Sequence, residues 1–264
     1  MSWGQPPPPG VPRRVLALLT LAAASLTLLV LVYLPAWIGG SSLIEAAASP
    51  LALRSLALSL AVSTVVTLLA LAAAVPVGYA LSRGLVPCPS AVEALLLLPF
   101  GMPPVALGAA LFLALTGPLR PLEELLGLLY TPRGLVAAQL AVVYPIAVRA
   151  VKAGFDSVPY TVEVVSRSLG HSWARTMARV VLPMARRGIM TAAVLAFTRS
   201  LGEFGASVMV AGVRSDTMTL PIAIYSLVNS GDYLEGLALV AVSAAASLAG
   251  VAALLRLERR GGGW

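Results

Sequence analysis

The sequence is poor in charged and reactive side chains. Only 11% of its 264 residues are charged, and it has a single cysteine, Cys88, and a single histidine, His171. One cysteine excludes an internal disulfide framework and a cysteine-based metal site, and one histidine cannot form a metal site by itself. We also find no P-loop, no nucleophile elbow and no paired-carboxylate arrangement. We therefore expect no catalytic residues and no metal site in this chain, and no nucleotide hydrolysis by it alone.

Apolar residues, in contrast, make up 59% of the chain. This composition is typical of membrane proteins and not of soluble domains. A bilayer core of about 30 Å needs about 20 apolar residues per helix, and six uncharged or nearly uncharged blocks approach that length. They cover residues 15–34, 55–81, 94–115, 135–151, 189–213 and 234–255. We predict one membrane span per block, with the internal prolines and glycines tolerated because neighbouring helices satisfy the freed backbone groups.

The distribution of lysine and arginine predicts the orientation of these spans. With both termini on one side, that side receives thirteen basic residues, the other side four, and Arg199 lies inside a span. The four on the opposite side are Arg54, Arg120, Arg133 and Arg214. Short cytoplasmic loops carry the excess of positive charge, so we predict that both termini are cytoplasmic. The net charge of +7 then faces anionic lipid headgroups, and we expect no nucleic-acid partner.

The blocks also predict the organisation of the chain. Residues 15–34 are longer than the apolar region of a secretory signal and are predicted to be an uncleaved anchor helix. Residues 1–14 are predicted to be a disordered cytoplasmic N-terminus and residues 257–264 a cytoplasmic tail. Between them, residues 51–256 form a core of five spans, which includes a cytoplasmic loop at residues 156–188.

This loop contains the stretch EVVSRSLGHSWARTMARVVLP, residues 163–183. Val162, Val165 and Leu169 have the spacing of one helical face. A glycine at residue 170 suits a helix C-terminal cap, and the serine at residue 172 suits the N-cap of a second helix. The pattern predicts two short helices joined by a glycine turn.

We expect the second helix to begin at Trp173 and to end at Pro183, before the next span. A segment lying flat on the lipid surface is the alternative structure. The tight Gly-Ser turn favours a compact knob, which is suited to docking into a groove of a partner protein.

The stretch resembles the cytoplasmic signature loop of ABC importer permeases, in which EAA is followed after three residues by G and after nine more by I, any residue and LP. Gly170 and residues 180–183 match this spacing, whereas EAA falls on residues 164–166 and Glu163 lies one place upstream. The resemblance implies an all-α, type I importer permease fold whose coupling helix inserts into a separate ATP-binding subunit. It assigns to this coupling loop Glu163, Ser166, Arg167, Leu169, Gly170, His171, Ser172, Trp173, Leu182 and Pro183. From the residue alone, we expect His171 to be a solvated loop residue.

The fifth block has two charges, Arg199 and Glu203, within AFTRSLGEFGASVMVAG. A charge inside a membrane costs about 2.5–3.5 kcal/mol or more unless it is paired or hydrated. At positions i and i+4 these two can neutralise each other. Two interpretations remain open: a structural ion pair, or a polar path for an anion. The candidate path residues are Arg199, Ser200, Gly202, Glu203 and Ser207, although serines in membrane helices also link helices to one another.

The segments FTRSLGEFGA and TMTLPIAIYSLVNSGDY resemble permeases for tetrahedral oxyanions, above all molybdate and tungstate, with sulfate permeases close behind. The similarity covers about residues 51–256. It implies a homodimer of this multi-pass protein in the plasma membrane, surrounded by lipid, with two ATP-binding subunits that bind ATP and Mg. It also implies a periplasmic or extracellular oxyanion-binding protein, and no cofactor in this chain. Sulfate or another solute is the alternative cargo, and a secondary transporter driven by an ion gradient is the alternative class.

Overall fold

The computed structural model describes residues 13–28 and 40–260, and every regular element in these ranges is helical. The all-α prediction is confirmed. The helices are α1 (Arg13–Leu28), α2 (Gly40–Ala47), α3 (Pro50–Ser82), α4 (Pro89–Gly101), α5 (Pro104–Thr116), α6 (Arg120–Leu126), α7 (Pro132–Asp156), α8 (Tyr160–Ser168), α9 (Trp173–Leu201), α10 (Gly205–Ala211), α11 (Leu220–Ser230) and α12 (Tyr233–Arg260).

Four of the described helices, α3, α7, α9 and α12, are long and apolar enough to cross a membrane, and the bent pair of α4 and α5 would be a fifth span. The predicted first span, residues 15–34, coincides with α1 up to Leu28, and its remainder lies outside the described residues. Helix α1 begins inside the predicted N-terminal segment 1–14, and α12 continues into the predicted tail 257–264. The rest of both segments lies outside the described residues.

The third predicted span, residues 94–115, is not one straight helix. It is divided between α4 and α5, which meet at 105°. Met102, between them, is extended, with φ −88° and ψ 145°. The residue before a proline is disfavoured in the helical conformation, and Met102 precedes the pair Pro103 and Pro104. An isolated proline is tolerated, since Pro76 lies inside α3, but the double proline breaks the span.

The fifth predicted span, residues 189–213, is also wrong in its bounds. Helix α9 begins earlier, at Trp173, and ends at Leu201, and the chain resumes as α10 at Gly205. Gly205 is the position where α10 approaches α5: a Cβ atom there would lie 2.9 Å from the backbone nitrogen of Val105. The glycines that we expected a continuous helix to tolerate instead accompany a break and a close packing contact.

The core of the bundle is formed where α3, α7 and α9 pack together. Its fully buried side chains include Val66 of α3, Val143 and Phe155 of α7, and Ala192 of α9. Helices α7 and α9 approach closely at Gly154 and Gly188, where a Cβ on Gly154 would lie 2.9 Å from the Cα of Gly188. Small residues at a crossing allow this approach, as is usual in membrane bundles. Gly78 of α3 packs equally closely against Val151 of α7, so the C-terminal parts of α3 and α7 pack together beside the N-terminal half of α9.

Candidate functional site

The predicted coupling loop, residues 156–188, contains the expected helix, turn and helix. Helix α8 has Glu163 in its first turn and Arg167 in its last turn, the arrangement that the helix dipole favours. Gly170 has φ +85°, a left-handed conformation that glycine adopts without strain. The Ser172 hydroxyl accepts a hydrogen bond from the Arg175 backbone nitrogen at 3.4 Å, so that it caps α9 as predicted.

The predicted helix end at Pro183 is wrong. The backbone continues through a π-helical turn at Met177–Val181 into the rest of α9. Within this turn the Leu182 backbone nitrogen donates to the Met177 carbonyl, five residues back. Proline lacks the N–H group of an ordinary helical turn, and a π turn shifts the hydrogen-bond register by one residue just before it. Helix α9 therefore links the glycine turn directly to the membrane core.

Glu163 is the buried anchor of α8. Its side chain is 7% exposed and forms an ion pair with Arg83, with 2.6 Å between Arg83 Nη2 and Glu163 Oε1. Arg83 Nε donates to the same oxygen at 2.7 Å, and the Tyr79 hydroxyl donates to Oε2 at 2.9 Å. Arg83 also donates to the Val158 carbonyl. Glu163 thus connects α8 to the end of α3, which lies 80 residues earlier in the chain.

Apolar side chains are exposed around the glycine turn. Leu169 is 73% exposed and Trp173 is 55% exposed, and Val165 is exposed as well. Exposed apolar groups beside charged ones are typical of a protein-binding surface. Gly170, Ser172 and Arg167 are exposed as well, so the predicted tip of the loop is accessible.

A small polar network supports the turn from inside. The Ser166 hydroxyl lies 3.1 Å from His171 Nδ1 and 2.9 Å from the Thr176 hydroxyl. Ser166 and Thr176 are buried, and His171 is half-buried, which differs from the solvated loop residue that we expected. His171 thus connects the turn to α8, and the contact between Ser166 and Thr176 connects α8 to α9.

The second candidate site lies at the break between α9 and α10. Arg199 Nη1 lies 2.5 Å from Glu203 Oε2, and the other Glu203 oxygen accepts from the Ala206 backbone nitrogen at 2.9 Å. Arg199 is 32% exposed, whereas Glu203 is 1% exposed. The carboxylate therefore neutralises the arginine and satisfies a free N–H group at the start of α10.

The candidate path serines are buried and bonded to α7. The Ser200 hydroxyl donates to Gln139 Oε1 at 2.6 Å, and Gln139 Nε2 donates to the Ser207 hydroxyl at 3.3 Å. Gly202, in contrast, is exposed. The structure thus brings Ser200 and Ser207 together around Gln139, and it leaves Arg199 and Gly202 as the accessible members of the predicted set.

Four residues of these sites were missed in the sequence: Tyr79, Arg83, Gln139 and Thr176. In the sequence, Arg83 was used only as one of the thirteen basic residues that predict orientation. A tyrosine and an arginine four residues apart at the end of a span nevertheless present two donors on one helical face. Gln139 is an uncommon polar side chain within an apolar block. Among the residues that the structure describes, no group of three potential ligands could hold a metal ion.

Comparison with known proteins gives consistent matches. The family described as binding-protein-dependent transport system inner membrane component matches residues 89–260. A probable molybdenum ABC transporter permease protein of Haloferax volcanii is 38% identical over 169 residues, which cover 63% of this chain and 61% of that protein. The molybdenum transport system permease protein of Escherichia coli (strain K12) is 31% identical over 185 residues, covering 67% of this chain and 80% of that protein.

A molybdate/tungstate transport system permease protein of Methanocaldococcus jannaschii is 33% identical over 167 residues, covering 63% of this chain and 66% of that protein. Among solved structures, a bacterial ABC transporter involved in the import of the acidic polysaccharide alginate matches with a TM-score of 0.68 and 16% identity. That match covers 94% of this chain and 96% of the other. At this identity the likeness concerns the fold.

Proposed function

The chain belongs to the family of binding-protein-dependent transport system inner membrane components, and we propose that it is the membrane-spanning permease subunit of an ATP-driven oxyanion importer. Membership confirms the predicted resemblance to importer permeases, and it makes the chain a multi-pass protein of the plasma membrane and a transport subunit, not an enzyme. We infer the substrate from the relatives, which are named for molybdenum, or for molybdate and tungstate. The proposed cargo is therefore a tetrahedral oxyanion.

The proposed topology has six spans with both termini in the cytoplasm. Four continuous helices, the bent pair of α4 and α5, and the span that includes α1 would make this number. The excess of basic residues on the side of the termini supports the orientation. The coupling loop and the ends of α3 and α7 then lie at the cytoplasmic face.

The proposed assembly is a homodimer of this permease with two ATP-binding subunits, which bind ATP and Mg, and an external oxyanion-binding protein. The exposed apolar tip at Leu169 and Trp173 would insert into a cleft of the ATP-binding subunit. Motion of that subunit would reach α3 through the Glu163–Arg83 pair and the membrane core through the unbroken α9. The partially exposed Arg199 would meet the anion on its path, while Glu203 neutralises it at rest.

The test is ATP-dependent uptake by vesicles that contain this chain, its ATP-binding subunit and its binding protein, with tungstate, molybdate and sulfate in competition. We expect uptake that tungstate or molybdate blocks and that sulfate leaves unchanged. Uptake blocked by sulfate would assign the alternative cargo. Uptake that persists without ATP and depends on an ion gradient would contradict the importer class.

A further inference from the structure

A cavity of about 520 Å³ lies between the N-terminal part of α3 and the loop that links α10 to α11. Arg54 and Ser55 line it from α3, and residues 213–216 line it from the loop. Arg54 and Arg214 are two of the four basic residues on the side opposite the termini. Under the proposed topology the cavity therefore opens to the outside, where the oxyanion arrives.

The cavity carries more positive than negative charge. Within the described part of the chain Arg54 forms no salt bridge. Arg214 contacts Asp216 through Nε alone, at 3.3 Å, and both side chains are about half exposed. Such an exposed pair is weak in water, and the terminal nitrogens of Arg214 remain available to another anion. Two arginines therefore face one carboxylate here.

Ser55 supplies an independent observation. It is 1% exposed, and its hydroxyl has no hydrogen-bond partner among the described residues. One turn further along α3, the Ser59 hydroxyl accepts from the Leu220 backbone nitrogen at 2.7 Å and is satisfied. Ser63 and Thr219 also have unpartnered hydroxyls, but of these three only Ser55 lines the cavity. A buried hydroxyl without a partner is unfavourable, and a ligand oxygen at the wall would satisfy it.

We propose that this cavity is a receiving site for the tetrahedral dianion, which occupies it between release from the binding protein and entry into the membrane path. The inference rests on the proposed function. Guanidinium groups bind oxyanions through paired N–H donors, and a serine hydroxyl adds a neutral donor. Arg54 and Arg214 hold the charge of the ion, Ser55 donates to one of its oxygens, and Asp216 competes for Arg214.

The test uses the complex of this permease with its ATP-binding subunit in lipid nanodiscs, without the binding protein. Binding of radiolabelled tungstate is measured by equilibrium dialysis at constant ionic strength. Arg54→Gln and Arg214→Gln should each weaken binding by about tenfold, because each removes a charged donor. Ser55→Ala should weaken it by about threefold. Arg214→Lys should weaken it less than Arg214→Gln does, because it keeps the charge and loses only the paired N–H donors. The matched control is Arg120→Gln, which removes an exposed arginine on the same side that pairs with Glu124 outside the cavity and should change nothing.

Asp216→Asn gives the sharpest result, because it should tighten tungstate binding by about threefold when the competing carboxylate is lost. If the Arg214–Asp216 pair were only structural, Asp216→Asn would weaken binding or leave it unchanged, and the proposal would be overturned. Equal weakening by Arg120→Gln, or no tungstate binding to the unmodified complex, would also overturn it. So would loss of binding-protein association in Arg54→Gln with tungstate affinity unchanged, since the cavity would then contact that protein. Failure of the proposed transport function would be distinguishable from failure of this binding site. In the first case the unmodified complex would take up no oxyanion in the vesicle assay.

Discussion

Two arginine–glutamate pairs in this protein have similar chemistry and different positions in the fold. Arg83 and Glu163 join the end of α3 to α8, two elements far apart in sequence, and both side chains are less than one tenth exposed. Arg199 and Glu203 lie four residues apart at one helix break, and the arginine is one third exposed. The first pair fixes the position of one element on another, whereas the second closes a local gap in the backbone.

The surroundings of the two glutamates explain what each pair can do. Glu163 accepts hydrogen bonds from Arg83 and Tyr79 of α3, so a displacement of α8 must either move α3 or break a buried ion pair. Glu203 accepts from Arg199 and from the Ala206 backbone nitrogen, all within one short segment. A buried pair between two elements resists their separation, while a local pair can lose its partner with little effect beyond its own turn.

The largest effect should follow from Glu163→Ala. It leaves the Arg83 guanidinium buried without its carboxylate, which costs about 3–5 kcal/mol in the free energy of unfolding. We also expect ATP-dependent uptake to fall strongly. The measurement is unfolding of the purified complex in denaturing detergent, with vesicle uptake in parallel.

The double variant Arg83→Met with Glu163→Leu is the internal control for this prediction. It removes both charges and should be less destabilised than either single change, because no charge remains buried without a partner. Glu124→Gln, at an exposed i,i+4 pair, should cost less than about 1 kcal/mol. A Glu163→Ala protein as stable as Glu124→Gln would remove the distinction between the two regions.

Glu203→Ala should have a smaller effect, about 1–3 kcal/mol, because it leaves the buried Ala206 N–H without an acceptor. On the proposed polar path Arg199 is hydrated, which limits the penalty for the unpaired charge. Glu203→Gln should be milder still, since its amide oxygen can accept from Ala206. Detergent unfolding of both variants beside Glu163→Ala provides the ranking, and a Glu203→Ala penalty above that of Glu163→Ala would reverse the comparison.

Gly170→Val probes the turn between the two helices that the first pair positions. A Cβ atom there meets nothing within 4 Å, so the cost is backbone strain at φ +85°, about 1–2 kcal/mol. We expect ATP hydrolysis to continue with little uptake, because the tip of the coupling loop changes shape. Gly231 is the matched control, with φ +88° and equally open space, but it lies outside the coupling loop. Equal loss of uptake in Gly231→Val would assign the effect to stability and not to coupling.

Much of the fold was predictable from the sequence because the length of an apolar block is a one-dimensional signal. The spans at α3, α7 and α12 followed from this signal. The glycine turn followed from the capping residues Gly170 and Ser172. The errors occurred where a local break depends on tertiary packing: Met102 before two prolines, Gly205 against α5, and the π turn that lets α9 continue through Pro183. The sequence shows that a helix can break at these residues. It does not show whether packing against a neighbouring element favours the break or allows the helix to continue.

The contacts within the candidate sites were also predictable only in part. The Arg199–Glu203 contact was predictable because i,i+4 spacing places two side chains together in a helix. The Arg83–Glu163 contact was not, since nothing in a single sequence indicates which of many basic residues meets Glu163. For the same reason Gln139, which joins Ser200 and Ser207, was not identified.

The smallest effects should come from Ser200→Ala and Ser207→Ala, and these variants address whether the break between α9 and α10 is packing or path. A hydrogen bond between membrane helices contributes about 0.6 kcal/mol on average. Ser200 makes the shorter contact with Gln139, 2.6 Å against 3.3 Å for Ser207, so its loss should cost more in detergent unfolding. If the serines only link helices, tungstate uptake should follow this order of stability and change little. A fall in uptake without a fall in stability would place the hydroxyls on the path and make the second region, and not only the first, part of the transport mechanism.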